Sequence, residues 1–175
     1  ENRAWILFGK DPDIDNMIRG GFLNDMELAC QGKYDSWKNT GRGQLALILL
    51  TDQFPRHVYR EDSKAFSYDA TALEVCLNGI QNEDDHKLSL IERVFYYFPL
   101  LHSESLDYQE RSLENYRILS ELAFAETRVI YDSFLKFANH HYSIIRRFGR
   151  FPQRNQALGR GSSSTELAYL EEMLD

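Results

Sequence analysis

The chain has 175 residues, of which 43% are hydrophobic, and it carries a formal charge of −7. Its length and apolar content predict one globular domain over residues 1–175 rather than a disordered chain. The acidic balance argues against nucleic-acid binding, which usually relies on a basic face. No apolar run reaches the length of about 20 residues that a membrane-spanning helix needs.

The spacing of the two cysteines and the first residue of the chain both indicate where the protein is located in the cell. Cys30 and Cys76 lie far apart and outside any CxxC pair, which is typical of reduced thiols in a cytoplasmic protein. We find no signal peptide, and the chain opens on Glu1 rather than on methionine. We therefore expect a cytoplasmic protein whose native start lies upstream of Glu1.

The first three predicted helices come from apolar residues spaced three or four positions apart. The first helix is predicted from Ile14, Ile18, Phe22, Met26 and Ala29. A second contains Leu45, Ile48 and Leu49 and is expected to end before Pro55, because proline disfavours the helical conformation of the residue before it. A third is expected within about residues 63–80 on the same spacing.

The second half of the chain predicts four more helices. A fourth helix, beginning near Leu88, is expected to stop at Pro99, and a fifth covers residues 106–122. A sixth runs from residue 130 to 148 and ends at Gly149 in the left-handed conformation. Ser163 and Glu166 have capping-box spacing and begin a seventh. Leucine far outnumbers valine and no segment alternates like a strand. The sequence therefore predicts an all-α fold of about seven helices packed as antiparallel pairs.

Polar residues follow the second helix directly, in the segment Asp52-Gln53-Phe54-Pro55-Arg56. Asp52 lies one turn after Ile48, so its side chain should point near the core and need a partner. Arg56, four residues later, is within reach. The pair has two interpretations: a buried ion pair that fixes the helix end, or an oriented acid that lines a pocket.

A second polar group, His102, Ser103 and Glu104, lies between Pro99 and the fifth helix, with Gln109 further on. A serine cap and an acid at the positive helix end account for Ser103 and Glu104, but not for His102. Metal binding would need further ligands, and no HExxH motif is present. We therefore predict no metal site. His141, on the apolar stripe of the sixth helix, is either a hydrogen-bonded core residue or an acid/base group.

The segment RRFGRFPQRNQALGR, residues 146–160, concentrates five arginines and no acid. We expect it to fold back on the core through Phe148 and Phe151, because exposing both rings would cost about 1.5–3 kcal/mol each. Arg154 and Asn155 would then face His102 and Glu104. The arginines either pair with acids of the fifth helix or hold a ligand carboxylate or phosphate, for which the guanidinium fork is suited.

Four segments carry a family resemblance: LALILLTDQFPRHVYR, FSYDATAL, ERVFYYFPLLHSESLDYQE and HYSIIRRFGRFPQRNQALGRGSSSTELAYL. They resemble a bacterial family catalogued as a domain of unknown function, number nine hundred and twenty-four, over nearly the whole chain. The DQFPR and FGRFPxRN motifs are its long and specific parts. Thr51, His57 and Ser105 depart from residues usual in the family. The resemblance implies a tetratricopeptide-like array of stacked helix pairs and assigns no activity.

Two functions from different classes follow from these observations. The first is a polar pocket that binds a small anionic ligand or acts on it. The acid/base candidates in that pocket are Asp52, His102, Glu104 and His141, and the ligand-binding candidates are Gln53, Arg56, Gln109, Arg147, Arg150, Arg154 and Asn155. The second is a tetratricopeptide-like module that binds a peptide or protein without catalysis. A shared, solvent-reachable position for the histidines and arginines would favour the pocket.

Overall fold

The computed structural model describes residues 11–173, which fold as helices and connecting loops without a β-strand in that range. Seven helices have seven or more residues: α1 Pro12–Cys30, α2 Gly41–Ile48, α4 Asp69–Gln81, α5 Leu90–Tyr96, α7 Leu106–Leu122, α8 Arg128–Phe148 and α9 Ser164–Glu172. Two short helices, α3 Phe54–Val58 and α6 Phe98–Leu101, complete this set. The all-α prediction is confirmed.

Helices pack in pairs around a core of leucine, isoleucine and tyrosine side chains. Helix α1 packs on α3, α2 on α4, and α7 on α8 along their lengths. The α7–α8 pair is antiparallel because residues 123–127 connect the two helices directly, and the rings of Tyr116 and Phe134 stack across it. Tyr96, Tyr97 and Leu100 lie at the buried centre. Tyr116 and Phe134 both belong to the predicted apolar stripes, whereas other members of those stripes, Leu122 and Ile130 among them, are exposed.

The prediction that the second helix ends before Pro55 was wrong. Helix α2 continues into a π-helical turn, Leu49–Gln53, and then into α3. The Phe54 N–H donates to the Leu49 carbonyl, five residues back, and Pro55 lies in the first turn of α3. Proline lacks an N–H, and the first turn of a helix is where that loss is tolerated. The wider turn places Asp52 inside a continuous helical segment.

The fourth predicted helix ends before Pro99, as expected, and Pro99 itself lies in a further short helix. Helix α5 ends at Tyr96, and Pro99 lies in the first turn of α6. Since α6 ends at Leu101, the chain then turns and presents His102 at the beginning of the loop before α7.

The arginine-rich segment is ordered and folded back, as predicted. Gly149 ends α8 with a φ of 70°, in the left-handed conformation. Phe151 is fully buried, and Pro152–Arg154 form a single 3-10 turn after it. Ser163 and Glu166 make the predicted capping box at the start of α9. The segment therefore lies against α8 and the loop that holds His102.

Between residues 11 and 173, no helix is both long enough and apolar enough to cross a membrane.

Candidate functional site

Asp52 and His102, fifty residues apart in sequence, form the centre of the polar cluster. Asp52 is completely buried on the π-helical turn, and His102 begins the loop after α6. The Nδ1 atom of His102 lies 2.9 Å from each carboxylate oxygen of Asp52. The Gln53 side-chain amide donates to the same carboxylate. We call Asp52, Arg56, Asp69, His102 and Arg154 the Asp52–His102 site.

The contact with Asp52 decides where the His102 ring carries its proton. A carboxylate only accepts hydrogen bonds, so Nδ1 must be the protonated nitrogen. The neutral ring then has a lone pair at Nε2. Within residues 11–173 the structure gives Nε2 no hydrogen-bond partner, and 13% of the side chain stays exposed. His102 therefore has a fixed orientation and an unused acceptor.

Arg56 connects Asp52 to a partner that sequence reasoning missed. Its Nη1 atom lies 3.4 Å from an Asp52 carboxylate oxygen and donates to the Asp52 carbonyl at 2.6 Å. The predicted Asp52–Arg56 pair is confirmed. Arg56 also donates two hydrogen bonds to Asp69, at 2.9 and 3.0 Å. No sequence pattern singled out Asp69, which the structure places at the start of α4.

The charges around Asp52 set the protonation of the central pair. Burial alone would raise the pKa of Asp52, but the Arg56 charge and His102 hold that pKa well below its usual range. Burial and the same Arg56 charge lower the pKa of His102, against the opposing attraction of Asp52. At neutral pH the pair is therefore a carboxylate and a neutral imidazole.

Arg154 brings a second guanidinium beside His102, as the sequence predicted. It donates to the His102 carbonyl at 2.9 Å and lies 3.5 Å from an Asp69 carboxylate oxygen. Phe66 and Phe151 both contact the guanidinium, with ring centroids 4.8 and 4.4 Å from its central carbon. Burial and the neighbouring Arg56 lower the pKa of Arg154 to about 10. The group is thus cationic, poorly hydrated and only partly neutralised.

His141 lies next to His102 but makes its own hydrogen bond. The two ring centroids are 6.3 Å apart. The Nδ1 atom of His141 is 3.0 Å from the Phe137 carbonyl, and the ring packs edge-on against Phe151 at 5.3 Å. Because a carbonyl can only accept, Nδ1 is again the protonated nitrogen. His141 therefore has the same tautomer as His102 and lines the same region.

Glu104, expected as an acid/base group, instead holds the arginine-rich segment in place. Its carboxylate accepts two hydrogen bonds from Arg160, at 2.7 and 3.0 Å, and one from the Phe151 N–H at 2.8 Å. The Arg160 Nε atom also donates to the Asn155 side-chain oxygen at 3.0 Å. The geometry gives Glu104 and Asn155 a positioning role, because these bonds fix the loop that carries Arg154.

Gln109, expected to bind a ligand, makes its hydrogen bonds to the backbone of the loop that carries His102. Its side-chain nitrogen donates to the carbonyls of Leu101 and Ser103, both at 2.7 Å. The residue is fully buried, and its side-chain oxygen has no partner among the residues that the structure describes. Gln109 therefore fixes the backbone on both sides of His102.

Two of the predicted arginines lie outside the cluster. Arg150 makes a two-pronged contact with Glu166, at 2.7 and 2.8 Å, and donates to the Gly161 carbonyl. Arg147 is exposed and lies over the rings of Phe148 and Tyr169. Glu166 belongs to α9, so Arg150 pairs with an acid, as one of the two interpretations allowed, but not with an acid of the fifth helix. The structure brings Arg154, and neither of these, to His102.

A metal centre was not expected, and the described part of the chain holds no group of three histidine, cysteine or acidic side chains placed to bind one.

The stability of the site should depend on pH through His141. Burial and the nearby His102 lower the pKa of His141 to about 3, whereas an unfolded histidine titrates near pH 6.5. The unfolded chain therefore binds the proton more readily between these values, and stability rises with pH across that window. We expect this residue to account for about 2 kcal/mol of unfolding free energy lost between about pH 7 and pH 5.

Urea denaturation at several pH values measures that contribution. The His141→Gln variant should show a shallower loss of stability than the wild type as the pH falls. The control is His86→Gln, since His86 is exposed on the loop before α5. Identical slopes in the wild type and H141Q would contradict the neutral state of this half-buried histidine.

Comparison with known proteins gives a family and a fold without an activity. The profile of a family described as "Bacterial protein of unknown function (DUF924)" matches residues 1–173. A solved structure of a protein of unknown function from Agrobacterium tumefaciens is 32% identical, with a TM-score of 0.83. The similarity covers 95% of this chain and 88% of that one. No curated protein matches the sequence.

Proposed function

Because this chain belongs to the DUF924 family of bacterial proteins of unknown function, we propose its function from its own site: it binds a small anionic molecule at the Asp52–His102 site. The observation that carries this proposal is the unused Nε2 atom of His102, a ring held in place by Asp52. A buried histidine oriented by a carboxylate is also the arrangement of a general base. We propose that His102 accepts a proton or hydrogen bond from the ligand.

Helix geometry supports a site at Asp52 independently of the histidine. Asp52 and Gln53 lie on a π-helical turn inside a longer helical segment. Such turns are rare in proteins and occur frequently at functional sites, where they redirect side chains. Here the turn directs a fully buried carboxylate toward His102.

The Arg154 guanidinium is the reason that we propose a negatively charged ligand. Within residues 11–173 the guanidinium donates one hydrogen bond, to the His102 carbonyl, and lies 3.5 Å from an Asp69 carboxylate oxygen, while the rings of Phe66 and Phe151 both contact it. The N–H groups that these contacts leave over suit a carboxylate or phosphate oxygen. An anion there would gain from the low hydration that burial imposes on Arg154.

The two contacts together define the ligand chemistry. His102 Nε2 needs a donor, and Arg154 needs an acceptor with negative charge. A molecule that carries a hydroxyl or amine close to a carboxylate or phosphate provides both. With His102 neutral and Asp52 ionised at neutral pH, proton removal from that hydroxyl or amine is the reaction step that these residues can promote.

The alternative function, a tetratricopeptide-like module that binds a protein or peptide, has a separate supporting observation. Large apolar side chains are exposed around the α7–α8 connection, with Phe124 78% and Val129 72% accessible. Exposed apolar clusters often mark interaction surfaces. This surface contains none of the Asp52–His102 site residues, so loss of binding in variants of that site separates the two functions.

We also propose a cytoplasmic location, supported by the thiols. Cys30 and Cys76 are both free, and neither forms a disulfide in the described chain.

Thermal denaturation with added anions tests the ligand proposal. The probes are inorganic phosphate, glycerol 3-phosphate, glycolate and citrate, each at matched ionic strength. A ligand at a hundredfold excess over its Kd should raise the Tm by about 5–10 °C, since it binds only the folded state. The Arg154→Gln variant should lose most of this rise.

Arg150→Gln is the matched control, because Arg150 lies in the same segment but pairs with Glu166. It should lower the Tm without ligand and keep the ligand-induced rise. The proposal is contradicted when no probe raises the wild-type Tm. It is equally contradicted when R150Q and R154Q lose the response to the same extent, because both arginines would then be structural.

A further inference from the structure

A second aspartate–histidine pair lies on the other face of α3. The Nδ1 atom of His57 is 2.9 Å from an Asp15 carboxylate oxygen, which joins α3 to α1. His57 is 6% exposed. Arg56 and His57 are neighbours in sequence, yet Arg56 contacts Asp52 while His57 contacts Asp15. The second pair therefore lies apart from the Asp52–His102 site.

Asp15 is fully engaged by donors. Arg60 donates to it through Nε and through Nη2, the latter at 2.8 Å, and His57 adds a third hydrogen bond. Arg60 and His57 both lower the pKa of Asp15, so the carboxylate is ionised at neutral pH. The Nδ1 atom of His57 also lies 3.2 Å from Arg60 Nη2, but its contact with the carboxylate is the shorter one and needs a proton on Nδ1. The lone pair of the neutral ring is then at Nε2. Among the described residues, that nitrogen has no partner.

These residues line an open groove of about 270 Å³ between α1 and α3. The lining is formed by Pro12, Asp15, Asn16, Arg19, His57, Val58 and Arg60. Arg19 donates to the Val58 carbonyl, and it has no ion pair within residues 11–173. The lining therefore contains two guanidinium groups and one carboxylate, which leaves one positive charge when His57 is neutral.

The arrangement requires a particular ligand group. The Arg19 guanidinium has N–H groups to donate and a charge to be balanced, whereas His57 Nε2 can only accept. A carboxylate accepts but cannot donate at neutral pH. A phosphate group does both, because its second pKa is near 6–7 and a protonated oxygen persists around neutrality. Arginine also matches phosphate oxygens through its planar fork.

We propose that the groove between α1 and α3 is a phosphate-binding site, in which Arg19 and Arg60 face the phosphate oxygens and His57 Nε2 accepts a hydrogen bond from its hydroxyl. The inference does not rest on the Asp52–His102 site, since no residue is shared between the two. The groove would be a second binding site for a phosphorylated small molecule, which would enter from its open side.

The experiment titrates inorganic phosphate into the full chain labelled with ¹⁵N-histidine and follows the His57 ring nitrogens by NMR. We expect a saturable shift of Nε2 with phosphate at about pH 6.5, and binding about tenfold weaker with sulfate, which has no hydroxyl to donate. Arg19→Gln should weaken phosphate binding about tenfold, since it removes a charge-assisted hydrogen bond.

Arg146→Gln is the control, because it removes the same charge from the exposed face of α8, and it should bind phosphate like the wild type.

His57→Asn is the second variant, because asparagine keeps a donor to Asp15 but lacks the Nε2 acceptor. Calorimetry should show that it also binds phosphate more weakly than the wild type. An unsaturable response, or equal weakening in R19Q and R146Q, overturns the proposal. Phosphate binding that is lost in R154Q and kept in R19Q assigns the anion to the Asp52–His102 site and also overturns it.

Discussion

Replacing Asp52 with alanine is expected to lower the free energy of unfolding by about 3–5 kcal/mol, the cost of leaving a buried charge without its partner. Asp52 is completely buried and accepts from His102, while Arg56 lies 3.4 Å away. Without the carboxylate, His102 Nδ1 loses its acceptor, and Arg56 loses one of the two acids that balance its charge among the described residues, keeping Asp69. Urea denaturation at about pH 7 measures the change.

Glu114→Ala is the matched control for that result. Glu114 is exposed on α7 and pairs with Arg117 on the same helix. Exposed pairs of this kind contribute little to stability, so this variant should unfold like the wild type. Equal effects of D52A and E114A would contradict a buried Asp52 network, whatever its role in binding.

Phe151→Ala is expected to destabilise the fold by about 3–5 kcal/mol, the usual cost of emptying a buried phenylalanine position. The ring is fully buried, and its contacts include Ile144, Ile145 and His141. It also covers one face of the Arg154 guanidinium. The variant should therefore lose both packing and the position of Arg154, and ligand-induced stabilisation should fall with it.

Phe124→Ala is the appropriate comparison, because it removes the same side chain from a site that is 78% exposed. Its free energy of unfolding should stay within about 0.5 kcal/mol of the wild type. Chemical denaturation of both variants gives the difference. A small effect for F151A would mean that the arginine-rich segment is not anchored by this ring.

Local sequence patterns predicted most of the helices, because apolar spacing decides which face of a helix is buried. The error involves a proline. Pro55 was expected to end a helix, yet it lies in the first turn of a short helix where its missing N–H is tolerated. Pro99 does follow a helix end, and it also lies in the first turn of the next helix. At Pro55 the π-helical turn before it keeps the segment continuous. The sequence contains no local pattern that distinguishes such a turn from a helix end.

Some residues of the Asp52–His102 site could also be predicted from the sequence, but not from apolar spacing. Asp52, His102 and Arg154 were identified because a buried or unexplained polar group needs a partner. Asp69 was missed because no local pattern connects it with Arg56, thirteen residues earlier. Arg150 was a candidate because it lies in the arginine-rich segment, and the capping position of Glu166 gave no sign that the same carboxylate also binds a guanidinium. Such pairings depend on how distant segments meet.

Which nitrogen of the His102 ring carries the proton decides whether Asp52 orients that ring for a ligand, and ¹⁵N NMR of labelled histidine side chains at about pH 7.5 measures it. The His102 signals are assigned by their loss in His102→Gln. In the wild type we expect a neutral ring with its proton on Nδ1 and a lone pair on Nε2, and in Asp52→Asn we expect no fixed tautomer. A wild-type ring protonated at Nε2, or charged at that pH, would contradict this orientation.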